Sequence, residues 1–191
     1  MSISTFNGLS YNFDIKKRTM DIILAIAREV LTPEYLKSLI TENGNTQVAE
    51  RKYIDKFKEI LDNLGYTYTQ ASSQQPKDFR NINDIGLNIE MKKTDSFSIY
   101  FNDTMPNKDT EYIILFTGKE YVTQNNIDPQ MIHVNGDYFP KSSEDWVYNY
   151  ANELEILKNK YARGDNAHNL SGCMYVYPRP TYKARIRNLI Q

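Results

Sequence analysis

Two carboxylates and an ammonium fall within a short stretch of this chain: Asp78, Glu90 and Lys92. In Leu-Asn-Ile-Glu-Met-Lys-Lys-Thr, residues 87–94, apolar and polar side chains alternate. A strand there puts Leu87, Ile89 and Met91 on one face and Asn88, Glu90 and Lys92 on the other. Asp78 stands twelve residues before Glu90, in Gln-Gln-Pro-Lys-Asp-Phe-Arg. If the two acids lie on adjacent strands or at a strand turn, both carboxylates converge with the ammonium. Two acids alone repel each other, and one is driven to protonate. A divalent cation removes that conflict, and an all-oxygen donor set suits a hard ion such as Mg²⁺.

The triplet acid-any-lysine occurs three times, at Asp14-Ile15-Lys16, Glu50-Arg51-Lys52 and Glu90-Met91-Lys92. The first lies in a polar N-terminal stretch. The second falls on a predicted helix, where residues two apart point in different directions. Only the third combines an amphipathic strand with an upstream Pro-x-Asp. On a helical wheel Glu50 falls amid the stripe of Ile54, Phe57 and Leu61, so its carboxylate is expected to point inward and to need a cation, a bound water or a proton. The alternatives are plainer: Glu90 and Lys92 as a solvated cross-strand pair, Asp78 as a turn or cap residue, and Glu50 as a first-turn acid favoured by the helix dipole.

Taken jointly, Pro76-Lys77-Asp78 followed by Glu90-Met91-Lys92 resembles the PD-(D/E)XK nuclease superfamily, over about residues 46–117, with the departure that Lys77 separates the proline from the aspartate. The resemblance implies a central mixed β-sheet flanked by helices, in the α/β class, with a restriction endonuclease-like core. It implies Mg²⁺ held by Asp78, Glu90 and the backbone carbonyl of Met91, with Glu50 as a fourth member beside the metal. The metal would polarise a phosphodiester and acidify a water, and hydrolysis would leave a 5′ phosphate and a 3′ hydroxyl. Lys92 completes the set. A free lysine titrates near 10.4 and is a poor base, so its role is to orient water and stabilise negative charge. The size and layout are most similar to small type II restriction enzymes, which cut double-stranded DNA as homodimers because palindromic sites mirror a two-fold axis.

Contacts to DNA are expected elsewhere in the chain. Gln75 either holds a water or phosphate or is an ordinary polar loop residue. Lys93 lies in the catalytic strand, and Tyr100, Asn102, Asp103 and Thr104 follow it, as groups for base edges and sugar-phosphate or as an Asn/Asp-rich turn. Near the C-terminus Arg179, Lys183, Arg185 and Arg187 are interleaved with tyrosines, either to track phosphates or as a solvated terminal helix. His133 reads as a strand residue and His168 as a loop residue.

The elements that must position these residues follow from periodicity. Residues 19–31 carry Met20, Ile23, Leu24, Ala27, Val30 and Leu31 at helical spacing, and Thr32-Pro33 starts a second helix to about residue 41. Residues 46–64 form the clearest helix, buried along Ile54, Phe57, Leu61 and Leu64 and stopped by Gly65. The period then changes to two, predicting strands at 66–71, 87–94, 97–101 and a central one at 112–117, with extended pieces at 120–123 and 131–134. Ser142 or Ser143 caps a helix with Val147, Tyr150, Leu154, Leu157 and Tyr161 on its apolar face, ending at Gly164, and a last strand covers 173–177.

With 191 residues, 23 Lys+Arg against 24 Asp+Glu and 40% hydrophobic content, the composition fits one globular domain over 1–191. The expected catalytic core is about 46–117 and the basic segment 171–191. That segment carries +4, leaving −5 on residues 1–170, so the near-zero total conceals a basic end. The longest apolar run, 22–27, is far short of the roughly 20 residues that span a bilayer. No secretory leader pattern is visible, Cys173 is the lone cysteine, and two distant histidines exclude a zinc site. A cytoplasmic setting without a membrane partner is the expectation.

Overall fold

The computed structural model describes residues 4–40, 46–70, 78–102, 105–139, 145–161 and 181–191. Among the described residues five α-helices, α1 (Ser4–Val30), α2 (Pro33–Ser38), α3 (Thr46–Asn63), α4 (Lys119–Asn125) and α5 (Asp145–Tyr161), combine with seven strands. These are β1 (Thr69–Gln70), β2 (Phe79–Ile82), β3 (Leu87–Thr94), β4 (Ser98–Asn102), β5 (Glu111–Phe116), β6 (Gln130–Asn135) and β7 (Thr181–Arg185).

The central sheet has the order β1-β2-β3-β5-β6. It is mixed: β3 and β5 run parallel, with Glu90 beside Tyr112 and Lys92 beside Ile114, and the other pairs are antiparallel. Strand β5 lies inside the sheet, as its continuous apolar run predicts, and only its first residue is less than fully buried. The expectation of a mixed sheet with helices against it holds.

Alternation along β3 divides the core in two. Leu87, Ile89 and Met91, with Ile113 and Leu115, face α1 and α3, where Ile23, Leu24, Ala27, Tyr53, Phe57 and Leu61 meet them. Tyr112, Ile114 and Phe116 face the opposite way and are covered by Ile99, Phe101, Phe139, Ala184 and Ile186. That cover is a two-stranded ribbon. After β3 the chain turns on Thr94, whose hydroxyl donates to the Ser98 carbonyl at 2.6 Å. Strand β4 then leaves the central sheet and pairs antiparallel with β7, in register from Ser98 beside Arg185 to Asn102 beside Thr181.

Several elements fall where periodicity puts them, and their caps explain why. Thr32 Oγ1 accepts the Tyr35 amide at 3.3 Å with Pro33 in the first turn of α2. Helix α3 ends on Gly65 at φ +69°, with Tyr66 N–H donating to the Leu61 carbonyl and Gly65 N–H to that of Asp62. This closure satisfies the last carbonyls of the helix and needs a left-handed residue, which glycine adopts at least cost.

Other expectations are corrected. Helix α1 starts at Ser4, far before residue 19, so the triplet Asp14-Ile15-Lys16 is helical too. Residues 120–123 belong to a helix, because Gly118 at φ +52° ends the extended run and its carbonyl accepts the amides of Tyr121 and Val122. Of the strand expected over 66–71, residues 66–68 are not in a strand, 69 and 70 form β1, and 71 lies outside the described residues. Strand β2 was not anticipated: Asn81, Asn83 and Asp84 all have positive φ, and a register shift between Phe79 and Ile82 breaks the alternation that marks a strand in sequence. Of the basic end, Thr181–Arg185 forms a strand, β7, where a terminal helix is the alternative to phosphate tracking. Helix α5 leaves Ile156 and Leu157 exposed and buries Leu154, so only part of its expected apolar face is covered. The caps at 142–143, the stop at Gly164 and the strand at 173–177 lie outside the described residues.

Candidate metal and phosphodiester site

Asp78 sits at the entry of β2, one residue before Phe79, which pairs with Ile89 of β3. One step back along this antiparallel pair, Asp78 lies across from the Glu90–Met91 step. Its Oδ2 accepts the Met91 amide at 2.7 Å. The N–H and C=O of one strand residue point to the same edge, so the Met91 carbonyl also faces the Asp78 side of β3.

Glu90 and Lys92, two apart on the opposite face from Met91, form an ion pair at 2.5 Å between Lys92 Nζ and Glu90 Oε1. Their side chains are only 14% and 22% exposed, so the pair is held in a partly dehydrated setting. The Lys92 ammonium also lies 5.3 Å from the centroid of the Phe101 ring, which packs against Tyr112 and Phe139. An aromatic face favours a cation there and fixes the direction of a long, flexible side chain.

Burial raises the Asp78 carboxyl to about 6. The Met91 amide and Lys92 oppose that rise, while the charges of Glu90 and Glu50 add to it. An acid in this state is short of positive charge. The nearby tyrosines respond to the same field. Burial first, then Glu50, Asp78 and Glu90, drives the Tyr53 hydroxyl far above its ordinary range. Tyr112 is pushed up to about 12 by burial, against the hydrogen bond from the Asn107 amide and with Glu90 adding.

The structure therefore brings together Asp78, Glu90, Lys92 and the Met91 backbone. Glu50 is different. It is exposed, because α3 is rotated so that Ala49, Tyr53, Phe57, Ile60 and Leu61 make the buried stripe, with Ile54 and Leu64 only partly covered. Its charge reaches Asp78 and Tyr53, yet among the described residues no three acidic, histidine or cysteine side chains are grouped closely enough to hold a metal ion. Glu50 shapes the field around Asp78 from the solvent side. The buried residue that α3 turns toward the carboxylates is Tyr53, which the wheel centred on Ile54 missed.

The expected DNA contacts divide similarly. The Lys93 side chain is 10% exposed and paired with Asp95 at 2.9 Å. The Asp95 carboxyl, which burial alone would raise, is held below its ordinary range by the hydrogen bonds from Thr117 and Lys93. Tyr100, Lys183, Arg185 and Arg187 are exposed along or beside the β4–β7 ribbon, and Asn102 lies within it, paired with Thr181. Gln75, Pro76, Lys77, Asp103, Thr104, Arg179 and His168 lie outside the described residues.

His133 is a strand residue, as expected, but it has a partner that sequence did not reveal. Its Nε2 lies 2.8 Å from Glu111 Oε2, and Asn135 donates to Glu111 Oε1 at 2.9 Å, on the α1 side of the sheet. The pairings of Ile113 with His133 and Glu111 with Asn135 cause this, and they exist only once β5 and β6 are in register. Comparison of the chain with protein-family models, with curated proteins and with solved structures finds no match. Among the described residues no helix is long and apolar enough to cross a membrane.

Proposed function

We propose that this chain is a Mg²⁺-dependent DNA endonuclease, in the manner of a type II restriction enzyme, with Asp78, Glu90 and Lys92 at its centre. The observation that carries this reading is the meeting of Asp78 with the Glu90-Met91-Lys92 strand through the 2.7 Å bond to the Met91 amide. A plain solvated strand face has no use for a half-buried aspartate raised to about 6 beside a second carboxylate.

A divalent ion fits this donor set. Asp78, Glu90 and the Met91 carbonyl are hard oxygens, and the rise in Asp78 reflects burial and, after it, the charges of Glu90 and Glu50, which a cation would offset. Bound there, Mg²⁺ would supply Lewis acidity toward the phosphodiester and toward an attacking water. The chain's own groups do the rest. The Met91 amide fixes Asp78 by its Oδ2, and Oδ1 would serve the ion. Lys92, steadied by Glu90 and Phe101, donates to the phosphate oxygens and stabilises charge developing on them. The apolar floor of Phe101, Tyr112 and Phe139 excludes water and strengthens each of these interactions. Attack in line with the 3′ oxygen leaves a 5′ phosphate, and a homodimer would cut both strands of a palindromic site.

A second reading is favoured by one observation: the 2.5 Å pair between Glu90 and Lys92 neutralises both groups without a metal. It makes the chain a nucleic-acid-binding protein that does not cut. Incubating the purified protein with phage DNA and Mg²⁺, beside EDTA and Asp78→Ala controls, separates the two. Discrete Mg²⁺-dependent fragments lost in the variant support the restriction enzyme, and random smearing points to a repair or recombination nuclease. Intact DNA across several divalent metals, with binding retained, leaves the non-catalytic reading.

A further inference from the structure

The β4–β7 ribbon has an inner and an outer side. Ile99, Phe101, Tyr182, Ala184 and Ile186 turn inward to the core. Alternation puts Tyr100, Lys183 and Arg185 on the outer side, where Tyr100 is 47% exposed. Tyr100 and Lys183 are paired directly across the strands, and the Lys183 ammonium lies 5.6 Å from the Tyr100 ring centroid. Just past β7, Arg187 places its guanidinium 4.2 Å from the Phe97 ring centroid. Among the described residues no carboxylate pairs with Lys183, Arg185 or Arg187. A ring orients Lys183 and another orients Arg187, and among the described residues no acid pairs with either.

We infer that this ribbon is a DNA-reading element that lies in the major groove of duplex DNA, with Lys183 on phosphate and Arg185 and Tyr100 toward base edges. The choice of DNA as partner rests on the nuclease reading above. The dimensions agree: five residues per strand span about 17 Å, and two strands with their side chains fit a groove about 12 Å wide. Two-stranded ribbons twist strongly, as a groove does. The arginine fork matches the two acceptors of guanine in that groove. A single-strand platform would need successive exposed rings, whereas Tyr100 is the one exposed aromatic among the described outer residues of the ribbon. Phe101, on the inner side of β4, carries Lys92 above its ring, so ribbon and carboxylate site are in contact.

The test is binding rather than cleavage: fluorescence anisotropy of the full chain with labelled duplexes in EDTA. Lys183→Gln/Arg185→Gln, at two exposed positions, is expected to weaken binding at least tenfold. It should also reduce the slope of log affinity against log salt by about 1 to 2, at unchanged Tm. DNA bearing 5-glucosyloxymethyl cytosine, which fills the major groove, should bind as poorly, and a minor-groove ligand such as netropsin should change little. Unchanged affinity for glucosylated DNA, unchanged affinity of the variant, or equal affinity for single strands overturns the inference, even if the wild-type protein cuts DNA. Failure to cut, with ribbon-dependent binding intact, overturns the nuclease reading and leaves the ribbon.

Discussion

Met91 donates its backbone amide to Asp78 Oδ2 at 2.7 Å, joining the entry of β2 to the middle of β3 across thirteen residues of sequence. This bond holds one carboxylate beside Glu90 and Lys92, and the consequences can be measured.

Asp78→Asn keeps an acceptor for the Met91 amide and removes the charge. The Asp78 carboxyl titrates at about 6 in the fold against an ordinary 3.8, so the fold prefers the protonated acid. Its contribution to stability is therefore full below about 3.8 and is lost as pH rises through 6, a difference of about 3 kcal/mol. In EDTA, thermal melts should show the variant more stable than wild type at pH 8, with the gap closing at pH 3.5. Mg²⁺ should raise the wild-type Tm at pH 8 and leave the variant unmoved. A variant less stable than wild type at pH 8 contradicts the burial of a charged Asp78.

Lys92→Met removes the ammonium from Glu90 and from the Phe101 ring. Cleavage should fall by at least about 10²-fold, as when a donor to a developing charge is lost. Stability should drop by about 1–3 kcal/mol, because Glu90 keeps its charge in a partly buried place without this partner. Single-turnover cleavage and urea melts give the two numbers, and undiminished cleavage would remove Lys92 from the mechanism.

Glu50→Gln takes away an exposed charge that raises Asp78. The Asp78 carboxyl should move down toward its ordinary range, shifting the acid limb of the pH–rate profile to lower pH. Stability should stay within about 0.5 kcal/mol and cleavage at pH 8 within about tenfold. A complete loss of cleavage at every pH would instead make Glu50 a direct ligand.

Lys93→Gln separates structure from recognition. The loss of its pair with Asp95 should cost about 1 kcal/mol, while DNA affinity and its salt dependence remain those of wild type. A reduced salt slope would show that Lys93 reaches phosphate after all.

How much of this was legible beforehand varies with the physics behind each element. Strand β3 and helix α3 stand nearly where alternation and helical spacing put them, since each buries a regular face and Gly65 closes the helix. The same alternation placed Glu90 and Lys92 side by side, and the 2.5 Å pair follows from it. Strands β2 and β7 were not legible in this way. The first is broken by left-handed asparagines, and the second is polar and basic on its outer side, so both are strands because a partner strand supplies their hydrogen bonds.

Sequence by itself determined which residue types could form the site, which of them share a face of β3, and that positive charge gathers at the C-terminal end. Those are local properties, set by a two-residue or 3.6-residue period and by composition. The tertiary structure decided the rest: that Asp78 meets the Met91 amide, that Tyr53 and not Glu50 is buried beside the carboxylates, and that Lys93 is tied to Asp95. It also pairs residues 181–185 of the basic end with β4 as a ribbon. Each depends on strand register or on the rotation of a helix about its axis, which are fixed by packing between segments distant in the chain and leave no periodic trace within either one.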